Sequence, residues 1–219
     1  MARKTKEEAQ ETRNKLLDTA EKVFNEKGVS RTSLAEIAEA AGLTRGAIYW
    51  HFKNKADLFE AMIQRVVLPM EEMVERFGDL ALDEPLVFIK AAAMNAFRMI
   101  ENDSQVQCVF EIMLHKCEAI GDMAAARERQ GENRNDCLMH IEQGFANAIQ
   151  KGHLPKSVQP RSAAIGMHAL VDGLVTNWVL APGYFSLAAD GERIVDAYLA
   201  GLRAGAPVNV ADWQLQKKA

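Results

Sequence analysis

A chain of 219 residues with 48% hydrophobic, 26% charged and 7% aromatic residues can bury a sizeable core, which excludes a disordered, collagen-like or disulfide-scaffolded protein. At roughly 150 residues per domain it has room for one domain of ordinary size and a smaller one. The net charge of −4 excludes indiscriminate nucleic-acid binding by the whole surface, yet residues 1–60 carry 11 Lys/Arg against 10 Asp/Glu while the remainder carries 15 against 20, so any DNA-facing surface belongs near the front.

From Lys6 to Lys27, Ala9, Leu16, Leu17, Ala20, Val23 and Phe24 form one apolar stripe, and Gly28 supplies a stop. Arg31-Thr32-Ser33 offers a capping hydroxyl to a short second helix with Leu34, Ile37, Ala38 and Ala41, closing at Gly42. Thr44 caps a third helix carrying Ala47, Ile48 and Phe52, so the pair reads as a helix-turn-helix braced by the first helix. A longer helix opens at Asn54 or Lys55, runs to Phe77, and is expected to kink at Pro69.

Further helices are predicted from Pro85 to about Ile100, from Asp103-Ser104 to about Glu118, from Met123 to Lys151, from Pro160 to Leu180, and from Asp190 to about Ala204. The reading is all-α with about nine helices: a helix-turn-helix domain over residues 1–54, a larger domain over 55–207, and a mobile tail over 208–219. The longest run free of Asp, Glu, Lys and Arg, Gly173 to Ala189, is interrupted by Asn177, Pro182 and Gly183 and makes a poor membrane span. The charged start lacks an apolar signal region, so a cytoplasmic protein with no membrane partner is expected. Cys108, Cys117 and Cys137 form an odd set without a CxxC pair, which reads as buried thiols rather than a bridge or zinc site.

The third helix is too polar and aromatic for a purely structural element. Ala47, Ile48 and Phe52 can face the core, leaving Arg45, Gly46, Tyr49, Trp50, His51 and Lys55 outside. Gly46 removes a side chain where the helix would approach a groove, and Arg45 is the residue type best suited to guanine O6 and N7. Tyr49, His51 and Lys55 could donate to phosphates. Trp50 could instead fill the junction between the two domains, and Lys53 reads as a solvated charge. Arg3, Lys4 and Lys6 suit either a frayed terminus or an arm reaching phosphate.

Residues 1 to about 60 resemble the DNA-binding domain of the TetR/AcrR family of transcriptional repressors. Thr32-Ser33-Leu34-x-x-Ile37-Ala38-x-x-Ala41-Gly42-Leu43-Thr44 and Tyr49-Trp50-His51-Phe52-x-Asn54-Lys55 carry the likeness. The opening Ala2 to Arg13 and the later Leu114-His115-Lys116-Cys117-Glu118 narrow it to local repressors of multidrug efflux operons. The resemblance implies a homodimer, a palindromic double-stranded operator, and a hydrophobic small-molecule inducer. It also implies DNA contacts by Thr32, Ser33, Thr44, Arg45, Gly46, Ala47, Tyr49, Trp50, His51 and Lys55.

The larger domain is rich in methionine and aromatic residues, which suit either a core or a cavity accepting apolar ligands of varied outline. Asp172 interrupts an apolar helix, with His168 one turn earlier on the same face, so the carboxylate needs a partner or a polar ligand, or is a satisfied buried group bonding within the dimer or capping a neighbouring helix. The resemblance places Val171, Asp172, Val175 and Trp178 on one pocket-lining helix, with Met167 and His168 beside them, and Phe110, Met113 and Leu114 on another. It also assigns the dimer interface to the last two helices, where Ala163, Ala164, Gly166, Ala169, Gly173, Ala197, Ala200 and Gly201 would permit close contact.

No cofactor and no metal are expected, since His168 and Asp172 lack further ligands at recognisable spacing. Glu111 and His115 stand four apart, not the three of a di-iron bundle, and no P-loop, GxGxxG, GxSxG or HExxH occurs, so a helical enzyme is the remote alternative. A regulator answering a fatty-acyl or aromatic metabolite remains open within the same fold.

Overall fold

The structure, a computed structural model, describes residues 6–118 and 121–205. Its helices in chain order are α1 (Lys6–Lys27), α2 (Leu34–Ala40), α3 (Arg45–His51), α4 (Lys55–Glu75), α5 (Pro85–Asn102), α6 (Ser104–His115), α7 (Ala124–Gln150), α8 (Pro160–Leu180) and α9 (Leu187–Ala204). Short 3-10 turns lie at Arg76–Gly78 and Gly121–Met123, and the described residues contain no strand. The expected tail over 208–219 and the basic residues Arg3 and Lys4 lie outside the described residues.

Side-chain caps place most of the helix starts. Ser33 and Glu36 form a reciprocal capping box at α2, Thr44 accepts from the Ala47 amide at α3, and Asn54 accepts from the Asp57 amide at α4. The last helix departs from expectation: Ser186, not Asp190, is its cap, so α9 begins at Leu187. The acid that completes this cap comes from α5. Glu101 accepts from the Ser186 hydroxyl at 3.0 Å and from the Leu187 and Ala188 amides at 2.8 and 3.1 Å, a carboxylate at the positive end of a helix dipole. Helix α6 stops at His115, short of Glu118, and α4 passes through Pro69 before tightening into the 3-10 turn at Arg76.

One continuous core runs the length of the molecule. In the head, Leu16, Leu17, Ala20 and Phe24 of α1 meet Ile37 of α2, Ile48 of α3 and the sealed side chains Leu58, Phe59 and Met62 of α4. Phe24 and Phe59 meet edge-on with ring centroids 6.2 Å apart, the arrangement aromatic quadrupoles favour. The first half of α4 thus packs in the head, and α7 runs along α4, with Arg129 pairing with Glu60 in its first half.

The body is built from α5, α7, α8 and α9, with α6 bridging to α1. At that bridge Arg65 of α4 donates to Asp18 at 2.7 Å and to Glu21, while Gln105 of α6 donates to both Glu21 carboxylate oxygens at 3.2 Å. Three of the small residues on α8 pack within the protomer, whereas Ala169 is exposed and Gly173 faces open space. Ala163 and Ala164 are buried, and a Cβ on Gly166 would lie 2.3 Å from the hydroxyl of Tyr198, which donates to the Ala163 carbonyl at 2.8 Å. The three cysteines are free and half-buried rather than sealed.

Candidate nucleic-acid interface and ligand cavity

Helix α3 spans seven residues and splits cleanly by chemistry. Ile48 is sealed in the core, as is Phe52 just beyond the helix, while Tyr49 is 48% and Trp50 73% exposed. Burying a large apolar side chain is worth about 1.5–3 kcal/mol, so leaving both rings in water forgoes stability that a structural helix would take. Trp50 therefore does not fill the domain junction.

The exposed face is ordered. The Arg45 guanidinium lies 5.5 Å from the Tyr49 ring centroid, and the Trp50 and His51 rings stand edge to face at 4.5 Å. A Cβ added to Gly46 would meet nothing nearer than the Thr44 hydroxyl at 3.9 Å. Nothing inside the protein therefore requires glycine there.

About the middle of the body a cavity of about 250 Å³ opens among five helices. Met70 and Val74 of α4 and the adjoining Phe77 form one wall, Ile89, Ala92, Ala93, Ala96 and Ile100 of α5 another, and Phe110 of α6 a third. Cys137 and Ile141 of α7 and Met167, His168, Val171, Asp172 and Val175 of α8 complete it. The lining is apolar apart from a polar edge, the arrangement usual for small-molecule sites. At that edge burial lowers the His168 pKa below 6.5; Asp172, one turn away, opposes the shift and Arg134 adds to it. Burial also pushes the Cys137 thiol up to about 11, which keeps it protonated. Among the described residues no three His, Cys, Asp or Glu side chains converge as a metal site would need.

Residues 16–62 match the profile described as bacterial regulatory proteins, tetR family, and residues 84–204 match the C-terminal region of the MAATS-type transcriptional repressors. The chain belongs to the TetR family. It is 39% identical over 203 residues to the HTH-type transcriptional regulator TtgR of Pseudomonas putida, covering 93% of this chain and 97% of that one. It is 40% identical over 198 residues to AcrR of Shigella flexneri, covering 89% and 91%.

Among solved structures, NalD, the secondary repressor of the MexAB-OprM multidrug efflux pump in Pseudomonas aeruginosa, superposes with a TM-score of 0.80 at 35% identity, covering 89% of this chain and 97% of that chain. The SmeT–triclosan complex superposes at 0.81, also at 35% identity, covering 88% and 91%; SmeT is the repressor of the Stenotrophomonas maltophilia pump SmeDEF. These relatives are transcriptional regulators rather than enzymes.

In this TetR-family chain the residues expected at DNA divide into two groups. Ser33, Thr44, Arg45, Gly46, Tyr49 and Trp50 lie exposed, with Ala47 and His51 half-buried beside them. Thr32 is only 3% exposed, and its hydroxyl donates to the Gly28 carbonyl at 2.9 Å. It holds a turn and is not a surface group. The Lys55 ammonium is likewise turned inward, onto main-chain carbonyls.

Of the nine residues expected at the ligand, Phe110, Met167, His168, Val171, Asp172 and Val175 share the cavity wall. Met113 and Leu114 pack beside the core and outside the lining, and Trp178 is 4% exposed with its indole N–H donating to the Phe185 carbonyl at 3.1 Å. Asp172 is exposed at the rim of the protomer, so no contact within one chain buries its carboxylate. The walls from α4, α5 and α7 were missed. The Ala92, Ala93 and Ala96 positions were the available signal, since small side chains on an apolar helix leave space opposite them.

Proposed function

We propose that this chain is a ligand-responsive transcriptional repressor of the cytoplasm. As a homodimer it binds a palindromic operator through two copies of α3 and releases it when an apolar, drug-like molecule occupies the cavity. The observation that carries this reading is the exposed aromatic and cationic face of α3 on a helix whose opposite face is sealed. We assign Arg45 to base edges, Tyr49, Trp50, His51, Ser33 and Thr44 to the backbone, and Gly46 and Ala47 to close approach. No catalytic role is assigned to any residue.

The dimer reading draws on α8 and α9. Ile165, Leu180 and Ile194 remain exposed along them and Tyr184 in the link between them, and Tyr184 and Leu180 are among the most exposed large apolar side chains described. Of the described helices α8 alone is long and apolar enough by composition to cross a membrane, with 33% of that stretch buried inside the protomer. A second subunit would cover its remaining apolar side, and two head domains separated by one DNA turn would read a palindrome. The drug class follows from the apolar lining and from the names of the relatives, which regulate efflux pumps; control of such an operon is the assigned role.

Footprinting the DNA upstream of its own gene, with and without hydrophobic drugs, tests the whole reading. A ligand at 100 times its dissociation constant should also stabilise the protein by about 2.7 kcal/mol in thermal shift. Protection that drugs do not relieve would exclude the drug-sensing role, and absence of protection would exclude repression at that site.

A further inference from the structure

We propose that Lys55 is a positioning residue that fixes the recognition helix against the body, and that it does not contact phosphate. The proposal rests on the DNA-binding reading above for its meaning, and on geometry for its content. Lys55 is the first residue of α4, the end of a helix where the dipole disfavours a cation. Its side chain crosses to the turn between α1 and α2, where the ammonium donates to the carbonyls of Val29 at 2.9 Å, Ser30 at 3.3 Å and Thr32 at 3.0 Å. An ammonium has three N–H donors, and all three have carbonyl partners. A phosphate contact at Lys55 would have to break this grip.

The grip sits where it controls α3. The carbonyls it holds lead directly into Ser33, the cap of α2, while Lys55 itself follows the link that ends α3. The helix that enters the groove is therefore suspended between two segments that Lys55 ties together. The turn is anchored from its other side as well, because the Val29 amide donates to the Lys116 carbonyl at 3.0 Å. With α2 and α4 joined at their N-termini, α3 is presented at one angle.

The test uses the full chain and the duplex that the wild-type protein selects from a randomised DNA library. Lys55→Met should lose at least tenfold in affinity and lower the melting temperature, yet leave the slope of log K against log salt at its wild-type value. Lys55→Arg, which keeps donors on a long stem, should restore melting and most of the affinity. An unchanged melting temperature with a slope reduced by about 0.9 per protomer, the signature of one lost phosphate contact, would overturn the proposal.

Because Lys55→Met could fail to fold, amine acetylation of the wild-type chain, read by mass spectrometry, provides an independent measurement. Lys55 should react more slowly than the exposed Lys53 in the free protein, with no added protection on DNA. Rapid labelling of Lys55 in the free protein, suppressed by the duplex, would overturn it. If the wild type selects no duplex, the DNA-binding reading fails, while the labelling contrast in the free protein still reports the grip.

Discussion

The amide of Val29 donates to the carbonyl of Lys116, so the end of α6 is bonded to the turn that feeds the helix-turn-helix. The Lys116 ammonium reinforces the joint by donating to the Asn25 carbonyl at 2.8 Å and pairing with Glu111 at 2.7 Å. Phe110, one and a half turns earlier on the same helix, lines the cavity. Alongside α4, which shares both the cavity wall and the head core, α6 thus gives a contiguous route from ligand to DNA head.

Lys116→Met should therefore weaken the communication more than either binding event. The expected outcome is a five- to tenfold smaller ratio of operator dissociation constants with and without drug, about 1–1.4 kcal/mol of lost coupling. Titrating operator at saturating and zero ligand checks this; an unchanged ratio would remove α6 from the route.

Gly46→Ala should leave the fold intact or slightly more stable, because the added methyl meets open space and alanine favours the helix by up to about 1 kcal/mol. If the position is glycine to let α3 approach DNA, operator affinity should fall at least tenfold, about 1.4 kcal/mol. Thermal melting and a binding titration on the same preparation separate the two effects.

Arg45→Ala should cost about 1–3 kcal/mol on the cognate operator and relax selectivity at one base pair. The guanidinium is held over the Tyr49 ring, so it is delivered to the groove in one orientation. Equal losses on cognate and random duplexes would make Arg45 a phosphate contact instead.

The head was legible in the sequence because local rules place it: Ser33, Thr44 and Asn54 are caps whose hydrogen bonds close within three residues. The face of α3 was legible for the same reason, since Ile48 in and Tyr49 and Trp50 out follows from helical period. What escaped was the long-range pairing. The start of α9 depends on Glu101, 85 residues before Ser186, and the inward turn of Lys55 depends on carbonyls more than twenty residues earlier. The pocket was half legible. Its α8 wall repeats at helical spacing, but its α4, α5 and α7 walls are set by how helices cross, and Trp178, on the stripe of Val171 and Val175, lies beyond the lining with its indole N–H donating to the Phe185 carbonyl.

His168 and Asp172 predict a pH dependence with a definite sign. Burial holds the folded imidazole below its ordinary 6.5, so just under that pH the unfolded chain binds more protons and stability falls as acid is added. The loss is absent above the unfolded value and complete once the folded imidazole also charges. His168→Gln should flatten this part of the stability profile. Asp172→Ala removes the charge that raises the His168 pKa, so it should extend the loss to lower pH; because Asp172 is exposed, it should not disturb the fold at neutral pH. Thermal melts from pH 5 to 8 decide: a profile unmoved by His168→Gln would show that burial does not hold the imidazole down, and one unmoved by Asp172→Ala alone that the imidazole does not feel the rim carboxylate.

The joint between head and body predicts a non-additive pair. Glu21 is 7% exposed and accepts from both Arg65 and Gln105, so Glu21→Met leaves a partly buried guanidinium that keeps only Asp18. Breaking such a pair from one side costs about 3–5 kcal/mol where burial is complete; with the Arg65 side chain 25% exposed, about 3 kcal/mol is expected. Arg65→Met should cost a similar amount by stranding the Glu21 carboxylate with one amide donor. Replacing both removes the unpaired charge, and an apolar pair of similar length fits the seam between α1 and α4. The double variant should therefore regain at least half of the loss predicted by adding the singles, measured as a double-mutant cycle in urea. Strict additivity would mean that Glu21 and Arg65 stabilise the junction independently, through packing rather than through each other.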